Sequence, residues 1–193
     1  SGVLKRLVAA QDLLSARHDP EVGGVQLAIF DAWRPIRVQA FMVDHSIQEQ
    51  CRSLGFDPSD PLMSASLQQV RSDVARFWAP PSQDPRTPPP HSTGGAVDLT
   101  LADGSGEPLA MGGDIDAIGD QSFPDHHAEE AESNPEGIAA LWHQRRCLLN
   151  DVMTEAGFAR HPNEWWHFSH GDQLWAWQRK TSGAIYASVA SSC

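Results

Sequence analysis

The sequence predicts an α+β fold, in which a small, mainly antiparallel sheet has helices packed on one side. Apolar residues recur at helical spacing in several long segments, whereas two short apolar runs, residues 25–30 and 96–101, are typical of buried strands. The second run leads into a glycine-containing turn and a return segment, which favours antiparallel pairing. The length of 193 residues predicts one domain, residues 1–193, with a weakly ordered tail over about residues 182–193.

Four segments have the spacing of amphipathic helices. The first covers residues 3–17, the second begins at Pro35, the third begins near Ala65, and the fourth covers residues 134–157. In the fourth, Asn134 is the expected N-cap and Gly157 the expected end. The apolar face of the second consists of Val38, Phe41, Met42 and His45. A histidine on such a face is expected to be a core or boundary residue.

Strands are predicted at residues 25–30 and 96–101, with a return strand at 109–111. An aromatic run at residues 164–170 predicts a further strand, and residues 173–178 are its expected hairpin partner. Residues 80–90 contain six prolines, which predicts an extended surface connection beside the cleft.

Charge and cysteine content limit the partners and the compartment. The net charge of -11 and the lack of a basic stripe exclude nucleic acid and anionic membrane surfaces as partners. No apolar run is long enough for a transmembrane span. Cys51, Cys147 and Cys193 are widely spaced without a CxxC pair, which favours free thiols and a cytoplasmic location. Because residue 1 is serine, a processed or truncated N-terminus leaves a periplasmic or secreted location open.

A histidine and an aspartate flank a glycine hinge in the stretch His91-Ser-Thr-Gly-Gly-Ala-Val-Asp98. Imidazole and carboxylate are good ligands for zinc, and Gly94 and Gly95 allow the chain to bend so that both ligands converge. The alternative is a surface loop followed by a strand whose aspartate is buried or capped.

The stretch Glu164-Trp-Trp-His167 supplies a second histidine and a carboxylate. Metal-dependent hydrolysis needs three protein ligands and a base beside the attacking water. His91, Asp98 and His167 are the candidate ligands and Glu164 the candidate base. In an ideal strand Glu164 and His167 would face opposite sides, so Glu164 is expected in the loop or bulge before the strand. The alternative is an aromatic core with a solvated Glu164.

An arginine follows the first predicted strand, in Asp31-Ala-Trp-Arg34-Pro35. At such a turn Arg34 can face a cleft and stabilise charge that develops on a carbonyl oxygen, and Asp31 can orient it. The alternative is a purely structural Asp31–Arg34 pair beside a helix-starting proline.

Asp-Ala-Trp-Arg-Pro, His-x-x-x-Gly-x-Ala-x-Asp and Glu-Trp-Trp-His, in this order, resemble the zinc D-alanyl-D-alanine dipeptidases of the VanX type. The resemblance covers nearly the whole chain and extends to a superfamily that includes D,D-carboxypeptidases. It implies one zinc ion (Zn²⁺) per chain, bound by His91, Asp98 and His167. It also implies that the sheet carries this zinc site, with Glu164 as catalytic base and Arg34 as the transition-state arginine.

A further segment, Met111-Gly-Gly-Asp-Ile-Asp116, resembles a dipeptidase segment whose aspartate holds the substrate's free amino group, which implies that role for Asp116. His126 and His127 follow and are interpreted as a surface or supporting pair, because the site already has three ligands. The family carries a serine near the substrate carboxylate where this chain has Pro89, and it has a longer segment before Asp31. These departures affect substrate preference rather than the metal centre.

The implied function is hydrolysis of D-alanyl-D-alanine or a related small D,D-dipeptide. Zinc-bound water attacks the peptide, Glu164 accepts and returns a proton, and Arg34 stabilises the oxyanion. Two alternatives stay open: a D,D-carboxypeptidase or cell-wall endopeptidase with the same centre, and a non-catalytic zinc-stabilised binding domain. Antibiotic resistance, peptidoglycan recycling and nutrient use are all compatible roles, and the sequence carries no signal for an oligomeric state.

Overall fold

The structure is a computed structural model that describes residues 2–17 and 24–189. Short 3₁₀ turns at Pro61–Met63, Pro90–Thr93 and Asp120–Ser122 separate the main elements. In chain order the helices and strands are α1 (Gly2–Arg17), β1 (Gln26–Asp31), α2 (Ile36–Ser53), α3 (Ser64–Val74), β2 (Ala96–Ala102), α4 (Ala128–Ser133), α5 (Ile138–Glu155), β3 (Ala159–Arg160), β4 (His167–Ser169) and α6 (Gln173–Gln178).

The four strands form one antiparallel sheet in the order β1-β2-β4-β3. β2 is the central long strand, and its Asp98 is the register partner of His167 in β4. Asp98 also pairs with Asp31 at a register irregularity at the end of β1. This small antiparallel sheet with helices confirms the predicted α+β class.

Alternation along β2 divides the sheet into an apolar and a polar face. Val97, Leu99 and Leu101 point into the main core, where Phe168 of β4 joins them. Helices α1 and α5 cover this face with buried side chains that include Leu14, Leu149, Val152 and Met153. Since neighbouring residues face the other way, Asp98 and His167 lie together on the opposite face.

A second apolar cluster joins α2 and α3 and includes Cys51, Val70, Val74 and Trp78. The prediction that the apolar face of α2 is buried is wrong at Phe41, which is 67% exposed. His45 is also exposed and stacks on Phe41, one helical turn earlier, instead of entering the core.

Three predicted elements differ from the structure. Residues 173–178 form α6 instead of a hairpin strand, because the buried Asp172 caps the helix by accepting a hydrogen bond from the Trp175 backbone N–H (2.9 Å). The return strand at 109–111 is reduced to a bridge between Ala102 and Pro108 and one hydrogen bond from Leu109. Helix α5 begins at Ile138 with Gly137 as N-cap, because a turn brings the Gly137 N–H to the Asn134 carbonyl.

The remaining segments lie close to their predicted positions. The proline-rich connection has no regular secondary structure apart from its final turn, and it lines the cavity described below. The tail was predicted to be weakly ordered, but the backbone N–H groups of Tyr186 and Val189 donate to the carbonyls of Gly171 and Ser92. Residues 190–193 of this tail lie outside the described residues. Cys51 and Cys147 are free thiols, and Cys193 lies outside the described residues. Within the described chain, no helix has both the length and the apolar character needed to cross a membrane.

Candidate active site

Three predicted metal ligands converge on the polar face of the sheet. Asp98 and His167 face each other across β2 and β4, and the 3₁₀ turn before β2 brings in His91. The Nε2 atom of His91 lies 3.1 Å from Asp98 Oδ2 and 3.2 Å from His167 Nδ1, and His167 Nδ1 lies 3.1 Å from Asp98 Oδ1. All three side chains are buried.

The glycine hinge makes this convergence possible. Gly94 has φ of +68°, a left-handed conformation that favours glycine. A Cβ on Gly95 would lie 2.8 Å from the His170 carbonyl oxygen, which is too close for any other residue without a shift of the backbone. The hinge therefore closes the turn after His91 and lets β2 start against β4.

The donor set fits a divalent metal ion. Ligand atoms at about 2.0–2.1 Å from a tetrahedral ion lie about 3.3 Å apart, close to the observed separations. His91 Nδ1 donates to the Ala32 carbonyl oxygen (2.8 Å), so the lone pair of the neutral ring is on Nε2, inside the cluster. Asp98 Oδ1 is buried and makes no hydrogen bond of good geometry to any described residue, although His167 Nδ1 is near.

Charge at the cluster also favours a cation. Burial alone would raise the pKa of Asp98, but His91 and His167 outweigh it and hold the pKa well below its usual value. Asp98 therefore carries its charge and is suited to act as an anionic ligand. The Ser169 hydroxyl lies 3.2 Å from His167 Nε2, on the side of the ring away from the cluster, where a supporting partner orients the imidazole.

Glu164 lies in the irregular segment directly before β4, as predicted. Its Oε2 atom is 3.5 Å from His167 Nδ1, and the side chain is buried. Burial, with additional repulsion from Asp98 and Asp116, raises the pKa of Glu164 well above its usual value. A carboxylate with a raised proton affinity beside the ligand cluster is suited to accept and return a proton.

Arg34 is 3% exposed and lies on the other side of Asp98, with Nη2 3.5 Å from Asp98 Oδ2. Asp31 accepts from its Nε (2.8 Å), and Gln39 Oε1 accepts from Nη1 (2.8 Å). The guanidinium also lies over the Trp78 ring, 5.1 Å from the centroid. These contacts hold the group rigidly and leave some of its N–H donors available.

Gln39 was missed at the sequence level, because a glutamine in an amphipathic helix is usually a solvated residue. Here it is 2% exposed, and its Nε2 donates to the Ala79 carbonyl oxygen (2.8 Å). Gln39 thus links Arg34 to the segment that carries Trp78. The contact with Arg34 that gives Gln39 its positioning role is visible only in the folded structure.

Replacing Gln39 by leucine is expected to lower the free energy of unfolding by about 1–3 kcal/mol, because an Arg34 N–H and the Ala79 carbonyl lose their buried partner. Urea unfolding measures this change. Gln69→Leu on the exposed side of α3 is the matched control, with a change within about 0.5 kcal/mol. Equal losses in the two variants would show that the Gln39 contacts contribute nothing specific.

A cavity of about 600 Å³ opens over these groups. The proline-rich segment forms part of its lining, including Pro80 and Pro88–Pro90. The polar groups that line it include Arg34, His91, Asp98, Asp116, His161 and Glu164. The structure therefore brings all six predicted site residues to one cavity and adds His161, which the sequence did not single out.

Asp116 has φ of +65°, an uncommon conformation for a residue other than glycine. Burial and the nearby Asp98 raise the pKa of Asp116 to about 6. A largely desolvated carboxylate that lines a cavity is suited to bind a cationic group. By contrast, His127 packs on Trp142 and lies 2.8 Å, through Nε2, from the Gly112 carbonyl, and neither it nor His126 belongs to the metal cluster.

Comparison with known proteins places this site in a family. A model of the D-ala-D-ala dipeptidase family, peptidase M15, matches residues 2–185. The chain belongs to this family. The match confirms the resemblance predicted from the three motifs and the prediction that the chain is a peptidase.

Curated relatives carry the same description. A D-alanyl-D-alanine dipeptidase of Synechocystis is 45% identical over 181 residues, which cover 92% of this chain and 71% of the relative. One of Escherichia coli is 32% identical over 148 residues, covering 77% of this chain and 56% of the relative. One of Enterococcus faecium is 27% identical over 165 residues, covering 85% and 71%. These members of the family are longer than the chain described here.

Proposed function

We propose that the protein hydrolyses D-alanyl-D-alanine or a related D,D-dipeptide with one zinc ion per chain. The observation that carries the proposal is the arrangement of His91, Asp98 and His167, with mutual distances of 3.1–3.2 Å, beside the buried Glu164 in one cavity. The substrate class is taken from the relatives, which are named D-alanyl-D-alanine dipeptidases.

His91 Nε2, His167 Nδ1 and an oxygen of Asp98 would hold the metal. Nitrogen and oxygen donors in this combination suit zinc, and three protein ligands leave a position open, as in catalytic zinc sites. A zinc ion bound there supplies Lewis-acid polarisation of the scissile carbonyl and a lowered pKa for a bound water.

Glu164 is the general base and then the general acid. It takes the proton from the attacking water and returns it to the nitrogen of the leaving amino acid, so a single carboxylate serves both half-steps. Its buried position keeps bulk water from competing for the proton. The raised pKa strengthens its affinity for the proton that it accepts from the water.

Arg34 stabilises the oxyanion that develops on the scissile carbonyl. The Asp31, Gln39 and Trp78 contacts fix the guanidinium before substrate arrives, so little reorganisation is needed as charge develops. The 3.5 Å approach of Nη2 to Asp98 brings the remaining donors beside the metal cluster.

Asp116 binds the free amino group of the dipeptide. Among the described residues, no cationic side chain lies within salt-bridge distance of its carboxylate. The ammonium group of the substrate would supply this positive partner. In an N-acylated substrate that ammonium is absent, and the partly buried carboxylate is left unpaired. The site should therefore distinguish free dipeptides from longer peptides.

We expect kcat/KM for D-Ala-D-Ala to exceed that for its N-acetyl form by about 30- to 5,000-fold, the equivalent of about 2–5 kcal/mol for a lost charge partner. Asp116→Asn should lose most of this preference. Asparagine suits the variant because it tolerates the left-handed backbone of residue 116, whereas alanine adds strain. Steady-state rates for both substrates in both proteins provide the measurement.

A second candidate function is supported by a groove of about 380 Å³ that shares Asp116 and Trp78 with the main cavity. It gives an acylated substrate somewhere to extend, as a D,D-carboxypeptidase or endopeptidase requires. Equal rates on D-Ala-D-Ala and its N-acetyl form would favour this second candidate, and a strong preference for the free dipeptide argues against it.

A further inference from the structure

His161 is a polar group of the cavity that the proposed mechanism leaves unused. It lies in the turn between β3 and β4, close to the site, with its ring centroid 5.1 Å from that of His167. Its Nδ1 atom is 3.6 Å from Glu164 Oε2, and its side chain is 19% exposed. The ring thus lines the cavity beside the general base.

The hydrogen bonds of His161 define which ring nitrogen can donate. The backbone N–H of Asn163 donates to His161 Nδ1 (3.2 Å), so Nδ1 is an acceptor and the proton of the neutral ring is on Nε2. Within the described residues, no side chain or carbonyl accepts from Nε2.

The substrate brings an anionic group to this cavity. The amino acid that leaves a dipeptide has a carboxylate, and a buried carboxylate needs hydrogen-bond donors. Arg34 is the one lysine or arginine among the described residues that line the cavity, and Asp31, Gln39 and Asp98 already surround it. Pro89, which also lines the cavity, has no N–H to donate.

The position of Glu164 indicates which substrate group reaches His161. Glu164 returns its proton to the leaving nitrogen, so the leaving amino acid lies against Glu164. The carboxylate of that amino acid is attached to the same carbon as its nitrogen. His161, adjacent to Glu164, is therefore close to the expected carboxylate, whereas Asp116 would repel it.

We propose that His161 Nε2–H donates a hydrogen bond to the carboxylate of the leaving amino acid, which makes His161 a specificity-determining residue of the site. The inference rests on the proposed dipeptidase function. A hydrogen bond from N–H to a carboxylate is stronger than one to a neutral acceptor, so His161 favours substrates that end in a free carboxylate.

The test compares D-Ala-D-Ala with D-alanyl-D-alaninamide, whose terminal group is neutral, in the zinc-loaded wild type, His161→Phe and His161→Gln. We expect the wild type to prefer the free acid, and His161→Phe to reduce this preference about ten-fold. His161→Gln should keep more of the preference than His161→Phe, because its side-chain amide can present an N–H near the position of Nε2. The zinc content should be the same in all three proteins.

Two results would overturn the proposal for His161. One is an equal loss of kcat/KM on both substrates, since this is the result expected if His161 acts only through Glu164 or the local fold. The other is an unchanged acid preference in both variants. If the wild type cleaves neither substrate, the proposed function itself fails and the inference fails with it; cleavage of D-Ala-D-Ala without these variant effects rejects His161 alone.

Discussion

Glu164→Gln is expected to lower kcat about a hundred- to ten-thousand-fold while one zinc ion stays bound per chain. The glutamine amide has nearly the same size but cannot accept a proton from the attacking water, and general-base catalysis typically contributes this factor. Because Glu164 lies 3.5 Å from His167 and outside the ligand trio, its loss leaves the donor set intact. Steady-state kinetics and elemental analysis of the same preparation give both values.

Glu132→Gln, a change of the same chemistry on the exposed face of α4, is the matched control and should leave kcat unchanged. If Glu164→Gln released the zinc but kept its turnover per bound ion, Glu164 would be a ligand and the proposed base would be wrong.

His91→Ala, Asp98→Ala and His167→Ala are each expected to abolish stoichiometric zinc binding. Removing any one of these ligands leaves two protein donors, too few for a tight zinc site. Loss of a residue that supports a ligand typically weakens metal binding about 10–100-fold. Loss of a ligand itself should raise the zinc dissociation constant by more than this. Competition with a chelator of known affinity measures this constant without reference to catalysis.

Two further variants provide zinc affinities with which those of the ligand variants can be compared. Ser169→Ala removes the hydroxyl 3.2 Å from His167 Nε2 and should weaken zinc binding about 10–100-fold. His126→Ala changes an exposed histidine outside the cluster and should have no effect. Wild-type zinc affinity in Asp98→Ala would contradict the proposed ligand set.

The sequence was most informative where the chemistry is local. The Gly94-Gly95 hinge predicts a turn that closes on His91, and alternation along β2 separates Asp98 from Val97 and Leu99. The position of Glu164 before the strand was also predictable, because Glu164 and His167 would face opposite sides of a single ideal strand. These features depend on residues close together in the chain.

Features that depend on distant contacts were less predictable. The Trp175-containing segment has strand-favouring residues, but the Asp172 cap and a hydrogen bond from the Trp175 indole to the Gly157 carbonyl favour a helix. The supporting role of Gln39 depends on Arg34 and on Ala79, which is 40 residues away. His161 joins the cavity because β3 pairs with β4, which brings its ring against His167.

The central claim is that one zinc ion at His91, Asp98 and His167 makes this chain a D,D-dipeptidase. The most direct measurement is the rate of D-Ala-D-Ala hydrolysis as zinc is added back to chelator-treated protein. The rate should start near zero, rise linearly and level off at one zinc ion per chain. Full activity in the zinc-free protein, or stoichiometric zinc binding without hydrolysis, would contradict the claim.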